Sequence, residues 1–252
     1  MGLVRASAVA MAVALLVPAV QARQATAPTA APAQAKPQGA PPAAAGAMES
    51  DRKVAGGGIT AAGWQGKVDA SAAKQGGTIN DSKFAEEGGA FHLTVGPAAS
   101  YWNPANTASG DYSVKATFKE AKQTFSHPHP FGLFIGGNKL GTDQQSLMYC
   151  VAYRDGSYLV RSFKGDVVTT VVKKTPNDAV AKAATDAPVT QEIEWRVKGS
   201  RVECAVNGTV VAGFDKSEVV GDGKLESTDG VYGIRSAHNT DVIVSGLKLT
   251  KG

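Results

Sequence analysis

From Tyr112 to Lys119 the apolar positions Tyr112, Val114, Ala116 and Phe118 alternate with Ser113, Lys115, Thr117 and Lys119. Successive side chains of a β-strand leave opposite faces, so this period of two predicts a strand with one buried and one wetted side. The same signal, alternating or wholly apolar, recurs in "GAFHLTVG", "FGLFIGG", "SLMYCVAYR", "SYLVRSFKG", "EIEWRV", "VECAV", "GVYGIRSAH" and "DVIVSGLKLTK". Asp155-Gly156 and Asn207-Gly208 each predict a two-residue antiparallel turn, and Gly199-Ser200 a third pairing. Only Asn177 to Ala187 has helix-forming composition, and it is short enough to be a surface turn or loop. About a dozen short strands without a βαβ rhythm predict an all-β protein, a two-sheet antiparallel sandwich of jelly-roll type. An immunoglobulin-like sandwich usually takes about 100 residues and would need a boundary that the strand region lacks.

The first 47 residues follow another pattern. Arg5 precedes an apolar stretch from Ala8 to Val17, and Val20-Gln21-Ala22 supplies a small-residue cleavage pattern. Residues 1–22 are therefore expected to be a secretory signal peptide, since the apolar run falls short of the roughly 20 residues that span a bilayer. Residues 23–47 hold 11 Ala and 5 Pro with no aromatic, Leu, Ile or Val. Such a segment has little to bury against its ordering entropy and is expected to be a flexible tether. Residues 48–252 then form one monomeric jelly-roll domain, exported to the periplasm or beyond, with no transmembrane helix in the mature chain.

Charge narrows the partners. Arg5, Arg23 and Lys36 lie in the signal or tether, which leaves 23 basic residues against 22 acidic ones, all beyond Met48. The domain has no basic field for phosphates, and nucleic acid is excluded as a partner. Cys150 and Cys204 both lie inside apolar strand patterns. Export permits a disulfide between them if their Cα atoms come within about 7 Å, a distance the sequence does not supply.

The order "GWQGKVD", "GGAFHLTVGP", "GDYSVKATFKEA", "HPHPFGLFIGG", "YRDGSYLVRSFKG", "WRVKGSRVECAVNGTVV" and "GVYGIRSAHNTDVIVSGLKL" resembles the concanavalin A-like lectin/glucanase superfamily, in its laminin-G-like and 3-keto-disaccharide-hydrolase-like branches of secreted bacterial proteins. The resemblance runs from about Gly58 to Gly252, and its most specific elements are Asn207-Gly208 and Gly233-Ile234-Arg235. It implies a curved sandwich whose concave sheet often binds carbohydrate. These elements concern architecture, and glycines at turns carry little chemistry.

Retaining glucanases of that superfamily carry three acids in a Glu-x-Asp-x-x-Glu-like pattern. Here "QEIEWRV" offers only Glu192 and Glu194, which read as a solvated face opposite Ile193, Trp195 and Val197. In "HPHP", the prolines remove two backbone donors and place His127 and His129 at the approach to the Phe131 strand. That segment reads first as an edge-strand approach, second as a ligand rim, and third as a metal clamp that would need His92, His238 or Asp241 to complete it. Tyr101 and Trp102 could stack on sugar rings beside Asn103, although neighbours in a strand point opposite ways. Tyr149 and Tyr153 share a face, and Arg154, Arg161 and Arg235 lie in separate strands that could form a polar floor of forked donors.

No Ser-His-Asp order, P-loop, dinucleotide fingerprint or Cys-x-x-Cys motif is present. The expected function is a non-catalytic carbohydrate- or cell-envelope-binding module using Tyr101, Trp102, His127, His129, Tyr153, Arg154, Arg161 and Arg235. The alternatives are a glycoside hydrolase resembling the 3-keto-disaccharide hydrolases and a structural or protein-interaction domain. No cofactor is predicted, with calcium or a transition metal left open.

Overall fold

A computed structural model describes residues 49–252, so the signal-peptide and tether expectations and Met48 lie outside the described residues. The strands in chain order are β1 (Gly58–Ile59), β2 (Gln65–Val68), β3 (Lys83–Glu87), β4 (Ala90–Thr94), β5 (Ala99–Ala108), β6 (Tyr112–Glu120), β7 (Phe131–Asn138), β8 (Ser146–Ala152), β9 (Ser157–Lys164), β10 (Val167–Pro176), β11 (Val189–Lys198), β12 (Arg201–Val206), β13 (Thr209–Asp215), β14 (Gly230–Ser236) and β15 (Asp241–Lys251). They form an eight-stranded sheet, ordered β1-β3-β4-β15-β6-β11-β12-β13, and a seven-stranded sheet, ordered β10-β9-β8-β7-β14-β5-β2. Apart from the parallel β1–β3 pair, every pair of neighbouring strands in these sheets is antiparallel. This is the predicted two-sheet jelly roll.

The inner faces of the two sheets make one core. Along β6, Tyr112, Val114, Ala116 and Phe118 are buried as the alternation requires, and along β11 Val189, Ile193, Trp195 and Val197 oppose them in the same cluster. Trp195 is fully buried and its indole N–H donates to the carbonyl of Leu133 across the sandwich, so its one polar group is satisfied. A second tie is covalent: Cys150 of β8 and Cys204 of β12 form a disulfide with Cα atoms 6.4 Å apart. It joins the two sheets, from the third strand of one to the strand beside the β13 edge of the other.

Turn chemistry matches two of the three predicted positions closely. Asn207 and Gly208, at φ 50° and 82°, make the two-residue link from β12 to β13, and Gly199-Ser200 link β11 to β12. The β8–β9 connection is wider than predicted, running from Tyr153 to Gly156, because Tyr153 N–H already bonds the carbonyl of Ser157 and Asp155 turns its side chain onto Ser157. Gly233 answers to a close approach, since a Cβ there would lie 2.3 Å from the carbonyl oxygen of Tyr101.

Three features depart from the sequence reading. Short helices α1 (Ala70–Lys74) and α2 (Lys216–Val219) occur where none was expected. Strand β10 was also missed: it pairs only with β9, and its exposed residues show no alternation. The segment from Asn177 to Ala187 is irregular, as expected of a loop. Among the described residues no helix is long and apolar enough to cross a membrane.

Candidate functional site

Alternation settles which side chains reach the face of the seven-stranded sheet turned away from the core. Cys150, Val160 and Ile234 belong to the inter-sheet core. Their strand neighbours Tyr149, Val151, Leu159, Arg161 and Arg235 therefore project outward. There they meet the His127–Pro130 segment, which leads into β7, and the Ala237-His238 segment, which leaves β14. Together with Asp69 and Tyr153 these residues line a pocket of about 310 Å³.

Five of the eight residues singled out in the sequence, His127, His129, Tyr153, Arg161 and Arg235, come together in that lining. The other three do not. Tyr101 points inward, is fully buried and stacks on Phe84 at 5.1 Å between ring centroids. Burial pushes its phenol up to about 12. Trp102 does leave the outer face, but it packs with Phe134, Leu147, Phe163 and Leu140 and retains 4% exposure. Gly141 also lies against its ring. Neither ring is open for stacking on a sugar.

Arg154 is corrected for a different reason. It is 1% exposed, and its Nη1 donates to Glu120 Oε2 at 2.7 Å while Nη2 donates to the carbonyls of Ala184 and Ala187. Its two Nη groups are spent inside the fold, holding the irregular 177–187 segment against the end of β6, while its Nε is buried without a partner among the described residues. Glu192 and Glu194 are engaged by Lys115 and Arg196 on the other sheet, in line with the solvated-face reading.

The two pocket arginines differ in the charge they leave over. Arg235 forms a forked pair with Asp69, Nη1 to Oδ1 at 2.6 Å and Nη2 to Oδ2 at 2.5 Å, and lies over the Tyr149 and Phe163 rings at 5.1 and 5.3 Å. Burial works against its charge, yet the Asp69 carboxylate together with the Tyr149 and Tyr101 phenols outweighs this and holds its pKa above the ordinary arginine value. The Arg235–Asp69 pair is close to neutral as a unit. Arg161, opposite Tyr149 in the β8–β9 register, pairs with no carboxylate among the described residues, and its Nε is buried without a partner there. Tyr153, beside it in the lining, carries the Lys174 ammonium 4.2 Å over its ring, and burial pushes its phenol up to about 12.

At the mouth stand three histidines. The ring centroids of His127 and His129 are 4.3 Å apart, and those of His129 and His238 are 4.2 Å apart. His129 Nε2 donates to Glu49 Oε2 at 2.9 Å, His127 Nδ1 lies 3.5 Å from the same oxygen, and His238 Nδ1 donates to Asp51 Oδ1 at 2.8 Å. Desolvation lowers the pKa of His129, with Glu49 pulling the other way and the two neighbouring imidazoles adding to the decrease. Its ring is thereby biased toward the neutral form. Of the three donors considered to complete the HPHP pair, His238 arrives; His92 and Asp241 pair with each other at 2.8 Å, away from it.

Asp69, Glu49 and Asp51 were not found from sequence. Each is an ordinary acid in its own segment, and only the topology carries Asp69 to Arg235, 166 residues away, or Glu49 to His129, 80 residues away.

No protein-family model matches the chain, and no curated protein sequence matches it. Its structure is similar to the carbohydrate binding module CBM66 from Bacillus subtilis, at 7% identity and TM-score 0.52, covering 77% of this chain and 99% of that one. A protein of unknown function with galectin-like fold from Bacillus subtilis gives 11% identity and TM-score 0.49, covering 75% of this chain and 89% of that one. The exoplasmic/lumenal domain of VIP36, in a Ca2+/Man3GlcNAc-bound form, gives 11% and 0.48, covering 75% and 84%. At such identities the likeness concerns the fold alone, and that fold is a two-sheet jelly-roll sandwich.

Proposed function

We propose that the protein is an exported carbohydrate-binding module whose ligand occupies the outer-face pocket of the seven-stranded sheet, with Arg161 as its main anchor. The observation that carries this reading is the contrast between the two arginines: Asp69 neutralises Arg235, whereas Arg161, half-buried in the pocket lining, pairs with no carboxylate among the described residues. Forked guanidinium donors suit a carboxylate, and Tyr149 and Tyr153 add aromatic surface with polar edges beside it. An acidic glycan of the cell envelope is the ligand class this chemistry favours.

Binding is preferred over hydrolysis because a retaining glycosidase needs two carboxyl groups about 5 Å apart, one of them free to attack. Among the lining residues the one carboxylate is Asp69, and both its oxygens are held by Arg235. Similarity of fold to a carbohydrate binding module supports the same choice. The inter-sheet disulfide fits an oxidising compartment and therefore export by the 1–22 leader, with residues 23–47 as a tether to a monomeric domain.

Equilibrium binding to a panel of neutral and acidic polysaccharides tests the proposal. A saturable acidic hit is expected, weakened about tenfold or more by Arg161→Ala, as loss of a charge-assisted pair implies. Trp102→Ala, provided it remains folded, should leave affinity unchanged because its ring is covered. Equal affinity of Arg161→Ala and the parent chain would sink the site assignment, and no binding to any polysaccharide would favour a protein-interaction role.

A further inference from the structure

We infer that His127, His129 and His238 form a binding site for one divalent transition ion of the zinc class at the mouth of the pocket. One nitrogen from each ring lies within 4.8 Å of those of the other two. Each ring also offers a nitrogen toward a carboxylate, His127 and His129 toward Glu49 and His238 toward Asp51. A carboxylate on one imidazole nitrogen fixes ring orientation and makes the other nitrogen a better donor, an arrangement recurrent around metal-bound histidines. The pairing leaves Nε2 of His127 and His238 and Nδ1 of His129 for an ion.

The backbone holds these groups in place. Pro128 and Pro130 restrict the segment carrying two of the rings. His238 precedes Asn239, which is 1% exposed and sits at φ 60°. The Asn239 amide accepts from Arg52 N at 2.8 Å and donates to the Ser50 carbonyl at 3.0 Å. The strand of chain bearing Glu49 and Asp51 is thereby fastened to the turn that bears the third histidine.

Donor type decides the ion. Three imidazoles suit Zn2+, Co2+, Ni2+ or Cu2+, whereas Ca2+ and Mg2+ require oxygen ligands. A tetrahedral ion with Zn–N of about 2.1 Å needs nitrogens roughly 3.4 Å apart. His127, whose side chain is 57% exposed, has room to close that distance by rotating, while His129, at 6%, is the fixed member. Three protein ligands leave a fourth position for water or an oxygen of whatever fills the pocket. Only that last use rests on the glycan reading; the ion site does not.

The test is calorimetric titration of the full chain, purified without an affinity tag and stripped with a chelator, using Zn2+ alone, with Co2+ absorption as a second probe. One saturable Zn2+ per chain is expected, together with visible bands of nitrogen-ligated Co2+. His127→Ala and His238→Ala should each weaken Zn2+ binding at least tenfold while leaving the thermal transition near that of the parent. Asp51→Asn should weaken it less. Absence of a stoichiometric site, a preference for Ca2+ over Zn2+, or undiminished Zn2+ affinity in the His127→Ala/His238→Ala double variant would overturn the inference, the last by placing the ion elsewhere. Because the readout contains no glycan, failure here leaves the binding proposal standing, and a glycan screen without hits leaves this one standing.

Discussion

Replacing Arg154 by alanine is expected to destabilise the fold by about 3–5 kcal/mol, the usual cost of stripping one partner from a buried ion pair. Arg154 and Glu120 have side chains 2% and 3% exposed, so the carboxylate left behind cannot recruit bulk water. The variant also loses the donors to the carbonyls of Ala184 and Ala187, which fasten the 177–187 segment. For a domain of this size each kcal/mol moves Tm by about 2–4 °C, so a fall of roughly 6–20 °C is expected in a thermal melt. The effect should also depend on pH. Burial already raises the Glu120 pKa above 4.5, with Arg154 pulling it down and Asp241 adding to the rise. Without Arg154 it must rise further. A raised carboxyl pKa contributes stability while the group is protonated and loses it as pH climbs through the folded value. The deficit of Arg154→Ala relative to the parent should therefore be smallest near pH 4.5 and grow toward neutrality. A loss below about 1 kcal/mol at neutral pH, or one that does not change with pH, would show that the pair is not the buried charge couple described.

That arginine also marks where sequence reading reached its limit. The sandwich was legible because its strands obey one local rule: alternation along β6 and β11 identifies the core face residue by residue. Strand β10 escaped because it lies at a sheet edge where only the adjacent Val171 and Val172 pack on the core, so Val167–Pro176 carries no period of two. The pocket was half legible. His127 and His129 advertised themselves by spacing, and the shared face of Tyr149 and Tyr153 followed from their separation, though not which way that face points. The same alternation that found them also separates Tyr101 from Trp102, and the cover over Trp102 comes from Leu140-Gly141, remote in sequence. Whether an arginine faces solvent or a buried acid is a property of its long-range neighbours. Arg154 meets Glu120, Arg235 meets Asp69, and Arg161 meets no carboxylate among the described residues, yet all three look alike as letters in apolar runs.

Converting Cys150 and Cys204 together to alanine is expected to cost about 4 kcal/mol, because the bond closes a loop with a sequence separation of 54 and restricts the unfolded chain accordingly. Both residues are fully buried in the core, so alanine avoids leaving an unpaired polar group there. The expected result is a Tm lower by about 10 °C, reproduced by the parent chain once a thiol assay shows it fully reduced. Equal Tm values for oxidised and reduced parent would refute a stabilising role. The position of the bond extends its consequence to the pocket. Cys150 anchors β8 to the opposite sheet from one face while Tyr149 and Val151, its immediate neighbours, line the pocket from the other. A chain kept reduced would thus lose stability in the strand that forms the pocket floor, whereas an oxidising compartment supplies the bond. If the glycan proposal holds, the alanine pair measured well below its transition should bind with the parent's affinity, and loss of affinity should track the fraction unfolded as temperature rises.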